Sequence, residues 1–194
     1  MKQSLFFMLL YVGISGFSQK IDLVEGDLGL LKGQDVINIK FRYDMAVAEF
    51  DKEDRYIAHK KRELNKKEKG RGDKWVKSWK ADRKDRFEPQ FRALFIKHSE
   101  IAVIEEPAPY TIIFTTIRTE PGSKVGDNDK PAFIDGEARL VETSNPKKII
   151  AKIVIENVPG RDVMGFDYET GARLQEAYAK AGKEIGGFIR KKLK

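Results

Sequence analysis

The chain has 194 residues and no cysteine, which excludes disulfide bonds, thiolate nucleophiles and cysteine metal ligands. Its net charge is +7, from 37 lysines and arginines against 30 acidic residues. Residues 51–100 alone hold 17 of the basic and 10 of the acidic residues, so the basic excess belongs to one segment of the chain.

The first 18 residues have the three-part pattern of a secretory signal peptide. Lys2 precedes an apolar run over residues 5–12, and small residues follow up to Ser18. The apolar run is shorter than the ~20 residues that cross a bilayer. We therefore expect cleavage before Gln19, a periplasmic or secreted mature protein, no transmembrane segment in it, and no lipid anchor.

Residues 36–43, VINIKFRY, alternate between apolar and polar side chains. This period of two predicts a half-buried strand, with Ile37 and Tyr43 on its inward face and Lys40 and Arg42 on its outward face. The next residues, MAVAEF, extend the strand before the pattern becomes helical.

A charged helix is predicted after this strand. Asp51 has the position of an N-cap, with Asp54 three residues on as in a capping box. The helix is expected to reach about Lys69. Its apolar stripe is thin, so most of its surface should be in contact with water.

The hexapeptide GRGDKW follows at residues 70–75. Its tripeptide Arg71-Gly72-Asp73 is one that animal integrins recognise, but three residues have little specificity. We interpret the stretch as a helix junction. Gly70 and Gly72 end the first helix, and Asp73 accepts the first backbone N–H groups of the second.

The second helix carries one apolar stripe at helical spacing. Pro89 removes a backbone donor and should kink or split the helix. The apolar positions of the stripe are Trp75, Val76, Trp79, Phe87, Phe91, Leu94 and Phe95.

The remaining chain is predicted to be mainly strand. Residues 101–106 and 110–119 are two candidates, and residues 120–131 form a loop. The predicted hairpin has strands at 132–143 and 148–157, joined by the turn signal SNPK.

A last helix covers about 169–192, after a glycine-punctuated loop. Its inward side chains are predicted to include Leu174, Tyr178 and Ile185. Gly182 and Gly186 would let it approach the sheet closely, because glycine has no Cβ atom.

This order of elements predicts an α+β fold. We expect an antiparallel sheet of about 4–6 strands, a long charged helical segment after the first main strand, and a C-terminal helix packed on one face. No repeat or low-complexity linker interrupts residues 19–194, so they are predicted to form a single domain.

The basic segment is the candidate binding site. We expect Lys66, Lys67, Arg71 and Lys74 to attract a polyanion, and Trp75 to offer a partly exposed ring for stacking on a sugar. Suitable partners are an acidic glycan or lipid of the cell envelope, or an envelope protein. Nucleic acid is not the expected partner.

A structural interpretation of the same residues remains open. Acidic residues such as Glu63 and Asp82 are interleaved with the lysines, and pairs at i, i+4 would give a solvated mixed-charge face. Trp75 and Trp79 lie one turn apart, in line with the phenylalanines of the stripe. They can therefore belong to the core.

Two loops contain carboxylates that can bind a cation, at residues 126–129 and 158–171. Neither matches the calcium loop of alternating Asp and Asn ligands with a distal Glu. Asp167 or Thr170 is a candidate cap of the last helix. No metal and no cofactor is predicted.

Catalytic motifs have little support in the sequence. The two histidines, His59 and His98, have no evident partner, and no serine lies in a nucleophile elbow. A hydrolase that uses Asp162 and Asp167 of the loop at 158–171 is the enzymatic alternative.

Two stretches resemble a group of small exported proteins of Gram-negative bacteria without an assigned activity. They are GRGDKWVKSWKADRKDRFEPQF at residues 70–91 and VPGRDVMGFDYETGARLQEAYAKAGKEIG at residues 158–186. The element order more loosely resembles periplasmic α+β domains of envelope lipoproteins of the curli-secretion type. The resemblance implies an exported α+β protein and brings no catalytic residues.

The sequence therefore predicts a non-enzymatic binding or accessory protein of the cell envelope. The alternative is a polyanion- or glycan-binding protein that uses the basic helical face at residues 60–86.

Overall fold

The computed structural model describes residues 18–105, 107–125, 128–160 and 170–194, without the side chains of residues 124, 125, 128 and 129. Residues 1–17, which hold most of the predicted signal peptide, lie outside these ranges. The cleavage site and the single-domain boundary therefore stay predictions.

The described residues form an α+β fold, as predicted. None of the helices in these ranges is both long and apolar enough to cross a membrane. The elements are β1 (Lys20–Gly26), β2 (Val36–Val47), α1 (Glu53–Lys67), α2 (Arg71–Asp82), a π-helical turn (Arg83–Phe87), α3 (Glu88–Ser99), β3 (Ala102–Val103), β4 (Tyr110–Glu120), β5 (Ser123–Val125), β6 (Asn128–Lys130), β7 (Phe133–Glu142), β8 (Asn145–Pro159) and α4 (Thr170–Leu193).

The main sheet has six strands in the order β1-β8-β7-β4-β2-β3. It is mostly antiparallel, as predicted, but β2 runs parallel to both β4 and β3. This departure arises because helices α1 to α3 form a crossover between β2 and β4. Such a crossover returns the chain to the same end of the sheet, so the two strands run in one direction.

Several strands differ from their predicted form. The edge strand β1, which pairs antiparallel with β8, had no prediction. The strand expected at 101–106 is reduced to β3, which pairs only with Val36 and Ile37 of β2. The loop expected at 120–131 contains the short hairpin of β5 and β6. The predicted β7–β8 hairpin is present, although β8 begins inside the predicted turn, at Asn145.

Helices α3 and α4 lie on the inner face of the sheet and bury its aromatic core. Phe91 of α3 packs edge-on to Phe41 of β2, with ring centroids 5.2 Å apart, and against Phe114 of β4 at 4.7 Å. Phe87 stacks on Tyr178 of α4 at 4.6 Å. The helix that was predicted to be kinked or split by Pro89 is interrupted just before this residue, where one π-helical turn separates α2 from α3.

Gly182 and Gly186 have a different neighbour from the one predicted. A Cβ atom at Gly182 would overlap the carbonyl oxygen of Phe91, and one at Gly186 would lie 2.7 Å from the carbonyl oxygen of Phe95. The glycines therefore bring α4 against α3, not against the sheet. The cause is the helical spacing of the two glycines, which puts them on the α3 side of α4.

Candidate functional site: an indole cavity on the basic helix hairpin

The basic segment folds into a hairpin of α1 and α2 around Gly70. Gly70 has a φ of 82°, a left-handed conformation that favours glycine. Gly72 is buried, and a Cβ atom there would overlap the carbonyl oxygen of Lys61. The two glycines thus let the helices turn and cross at close range.

The caps of these helices differ from the predicted ones. Asp51 does not cap α1, since Lys52 is the N-cap residue and makes no side-chain cap bond; Asp51 pairs with Arg55 instead. Asp73 lies inside the first turn of α2, after the N-cap Gly70. Asn65 of α1 accepts a hydrogen bond from the backbone N–H of Gly72, at 2.7 Å. Asn65 of the neighbouring helix therefore accepts a backbone N–H at the start of α2, which is the role predicted for Asp73.

The tripeptide Arg71-Gly72-Asp73 occupies the first turn of α2, not an extended loop. Gly72 is buried, and Asp73 forms an ion pair with Lys61 of α1 at 2.7 Å. The Lys61 and Asn65 side chains hold the pKa of the Asp73 carboxyl below its ordinary value. This geometry agrees with the interpretation of the hexapeptide as a helix junction.

The four predicted cations are exposed, but they are not equivalent. Lys67 forms an i, i+4 ion pair with Glu63 at 3.2 Å. Within the part of the chain that the structure describes, Lys66, Arg71 and Lys74 have no ion-pair partner. The mixed-charge interpretation therefore accounts for Lys67 and leaves the other three cations available to a ligand.

A cavity of about 220 Å³ lies beside the start of α2, and we call it the indole cavity. It brings together three of the predicted site residues, namely Arg71, Lys74 and Trp75. Lys66 and Lys67 do not line it. The described residues that line it are Leu64, Arg71, Lys74, Trp75, Ser78, Trp79, Asp82, Thr170 and Gly171.

The two indoles of the cavity are stacked on each other. The ring centroids of Trp75 and Trp79 are 5.3 Å apart, with 25° between the ring planes. Trp79 is buried with 5% of its surface exposed, whereas Trp75 is half-buried. Tyr56 of α1 supports both rings, at 5.8 Å and 5.4 Å. Trp79 is thus a core residue, and Trp75 has a ring partly open to solvent.

The position of Trp79 is fixed by a carboxylate that the sequence did not indicate. Its Nε1–H donates to Glu53 of α1 at 2.5 Å, and the Arg83 guanidinium pairs with the same carboxylate oxygen. Arg83 also lies over the ring of Tyr43, at 4.1 Å from its centroid. The π-helical turn begins at Arg83, and this turn places the guanidinium between the helix hairpin and the sheet.

Among the described residues, Asp82 is the one acidic side chain that lines the indole cavity. Its side chain is 17% exposed, and its Oδ1 atom is 2.9 Å from Nε of Arg86. Burial raises the pKa of the Asp82 carboxyl above its ordinary value, and nearby Asp85 adds to the effect, against the opposing charge of Arg86. A Cβ atom at Gly171 would overlap the carboxylate, so the glycine leaves space for Asp82 beside the start of α4.

A second buried polar cluster surrounds Glu88. Its side chain is 4% exposed and pairs with Lys84 at 2.9 Å and Arg92 at 3.4 Å. Tyr43 donates a long hydrogen bond of 3.4 Å to the same carboxylate. Burial raises the pKa of Tyr43 far above its ordinary value, so this phenol stays protonated at neutral pH. With both carboxylate oxygens engaged, the cluster joins α3 to β2.

The other sequence candidates are not brought together. His59 of α1 packs against Phe50, with ring centroids 5.3 Å apart, and His98 lies on α3. Asp162 and Asp167 lie outside the described residues, as does half of the stretch at 126–129. Among the residues that are described, no group of three or more carboxylates and histidines has the geometry of a metal site.

Comparisons with known proteins show low similarity. No family model and no curated protein matches the chain. A dodecamer of a PelC variant from Paraburkholderia phytofirmans is 12% identical, over 87% of this chain and 98% of that one, with a TM-score of 0.34. Protein XCC0632 from Xanthomonas campestris, of family DUF330, is 12% identical, over 82% and 85% of the two chains, with a TM-score of 0.40. Both organisms are Gram-negative bacteria, and the TM-scores are too low to establish a shared fold or to inform on function.

Proposed function

We propose that the protein is an exported, non-enzymatic binding protein that takes an acidic glycan in the indole cavity. The observation that carries this proposal is the juxtaposition of a half-buried indole with Arg71 and Lys74, two exposed cations without ion-pair partners in the described ranges. Export rests on the pattern of the first 18 residues.

The lining has the two kinds of group that an acidic sugar requires. The exposed part of Trp75 offers an apolar face to the C–H groups of a sugar ring, and burying that face gains about 25 cal/mol for each Å². Arg71 and Lys74 supply charge-assisted hydrogen bonds to a carboxylate. Since Tyr56 and Trp79 already hold the Trp75 ring, little side-chain entropy is lost when a ligand stacks on it.

Lys66 has a different role in this proposal. It is exposed in the last turn of α1 and does not line the cavity. It adds to the positive potential that draws a polyanion toward the cavity, an effect that falls off over a Debye length of about 8 Å at physiological salt. Lys67 contributes less, because Glu63 neutralises it.

The test is calorimetric titration of the purified protein with oligogalacturonate, an acidic oligosaccharide, at low and at physiological salt. Trp75→Ala and Lys74→Glu should each lower the affinity about tenfold or more, because each removes one of the two kinds of contact. Lys77→Glu is the matched control, since Lys77 is an exposed lysine of α2 outside the cavity. Its effect should be about threefold at most, through long-range charge alone.

Two results would oppose the proposal. Equal losses in Lys77→Glu and Lys74→Glu would mean that the helix attracts anions without a specific site. Unchanged affinity in Trp75→Ala would mean that the indole is only a structural residue.

A further inference from the structure

The carboxylate of Asp82 is a feature of the cavity lining that the proposed function does not use. Asp82 has one carboxylate oxygen engaged by Arg86, and its Oδ2 atom has no hydrogen-bond partner in the described part of the chain. An ionised carboxylate is an acceptor only. A ligand that fills the indole cavity therefore meets an unsatisfied acceptor in the same cavity as Arg71 and Lys74.

A phosphate polymer does not match this lining. Its phosphate oxygens would be repelled by Asp82 at the same time as they are attracted by the cations, and like charges in contact cost affinity. A hydroxyl group, in contrast, donates to a carboxylate in a strong, charge-assisted hydrogen bond. Ser78, which also lines the cavity, can donate or accept.

The size of the cavity sets a second limit. Its volume of about 220 Å³ is below the ~300–1,000 Å³ of sites for drug-sized ligands. Such a cavity takes about one ring of a polymer and leaves the rest of the polymer outside. The hydroxyl and the acid group that the lining recognises must therefore belong to the same or to adjacent sugar units.

Resting on the proposed function, we infer that Asp82 makes the indole cavity selective for sugar acids. The sugar carboxylate binds Arg71 and Lys74, and a hydroxyl of the same sugar or its neighbour donates to Oδ2 of Asp82. Anionic polymers without hydroxyl groups, such as inorganic polyphosphate, are rejected by the same carboxylate.

The position of Asp82 also has a structural consequence, which the test must separate from selectivity. The carboxylate lies beside Gly171, at the start of α4. A purely structural Asp82 would affect the stability of the fold without any effect on the choice of ligand. The ratio of two ligand affinities is a readout that such a role does not change.

The experiment compares oligogalacturonate and inorganic polyphosphate of similar charge, titrated calorimetrically into the wild type and Asp82→Asn at physiological salt. In the wild type, oligogalacturonate should bind about tenfold or more tightly than polyphosphate. In Asp82→Asn, affinity for oligogalacturonate should fall about tenfold, since a charge-assisted hydrogen bond becomes a neutral one. Affinity for polyphosphate should rise. Asp85→Asn is the control, because Asp85 is an exposed neighbour that does not line the cavity.

Equal affinities of the wild type for the two polymers would overturn the inference, as would parallel changes of both affinities in Asp82→Asn. Failure of the proposed function looks different, since neither polymer would then respond to Trp75→Ala or Lys74→Glu. A second variant, Asp82→Ser, keeps a small acceptor without charge and should also lose the preference. If both Asp82 variants kept the wild-type ratio while folded by circular dichroism, the inference would be wrong.

Discussion

Removal of the Glu53 carboxylate should destabilise the protein and loosen the indole pair. Glu53 accepts hydrogen bonds from the buried Nε1–H of Trp79 and from Arg83. A buried donor left without a partner costs ~1–3 kcal/mol. The Arg83 side chain is 21% exposed and also contacts Tyr43, so it recovers part of its loss through water and the aromatic ring. We therefore expect Glu53→Ala to lower the free energy of unfolding by ~2–4 kcal/mol.

The assay is urea unfolding followed by far-ultraviolet circular dichroism, which does not depend on the indoles themselves. Glu53→Gln keeps one acceptor for Trp79 and should cost about half as much as Glu53→Ala. Glu63→Gln is the matched control, because Glu63 is a partly exposed glutamate of the same helix that pairs with Lys67. Its loss should cost ~0.5 kcal/mol or less.

The result that would refute this reasoning is a Glu53→Ala variant as stable as Glu63→Gln. It would mean that water replaces the carboxylate at Trp79 and that the indole is held by packing alone. The native fluorescence adds a second check, since the emission of a Trp79 whose Nε1–H is exposed to water should shift to longer wavelength.

Three further predictions concern the packing, a pKa and a helix contact. Gly182→Ala should lower the free energy of unfolding in urea by ~1–3 kcal/mol, because the overlap with the Phe91 carbonyl outweighs the ~1 kcal/mol gain in helix propensity. Increased stability would contradict the close α3–α4 contact. Asp82→Asn should stabilise the fold at pH 7 but not near pH 3. The reason is that a carboxyl whose pKa is raised in the folded state costs stability only at pH values where it is ionised. Thermal unfolding at both pH values checks the sign, and an equal effect at both would oppose it. Asn65→Ala should cost ~1–2 kcal/mol by leaving the Gly72 N–H without its acceptor, whereas an unchanged midpoint would show that water replaces the amide.

Periodicity predicted the parts of the fold whose burial depends on one strand or one helix. The alternation of VINIKFRY gives the two faces of β2, with Ile37 buried and Lys40 exposed. The i, i+3, i+4 pattern gives α4, whose inward Tyr178 is fully buried. The strand β1 was missed because it is an exposed edge whose alternation covers only a few residues.

Two features that depend on the arrangement of distant elements were not predicted. They are the direction of β2 relative to β4 and the neighbour of Gly182. The helical crossover between β2 and β4 could have indicated the parallel pairing, since antiparallel neighbours need only a short turn. No signal in the sequence pairs Gly182 with Phe91, which lies far earlier in the chain.

The candidate site was only partly predicted, because some of its contacts depend on the arrangement of distant elements. The sequence placed Arg71 in the helix junction and Lys74 and Trp75 at the start of the second helix, and the structure brings all three to one cavity. It did not indicate that Glu53, from the preceding helix, would hold Trp79. It also did not indicate that Asp82 would enter the same cavity beside α4, because that contact needs the tertiary fold.

The most direct test of the account uses the intrinsic fluorescence of the protein. The chain has only two tryptophans, and both line the indole cavity, so tryptophan emission reports on this site alone. We predict that oligogalacturonate changes the emission in a saturable way at physiological salt, and that the change disappears in Lys74→Glu while it persists in Lys77→Glu. Saturable binding by calorimetry without any change in tryptophan emission would place the ligand elsewhere on the protein and contradict the account.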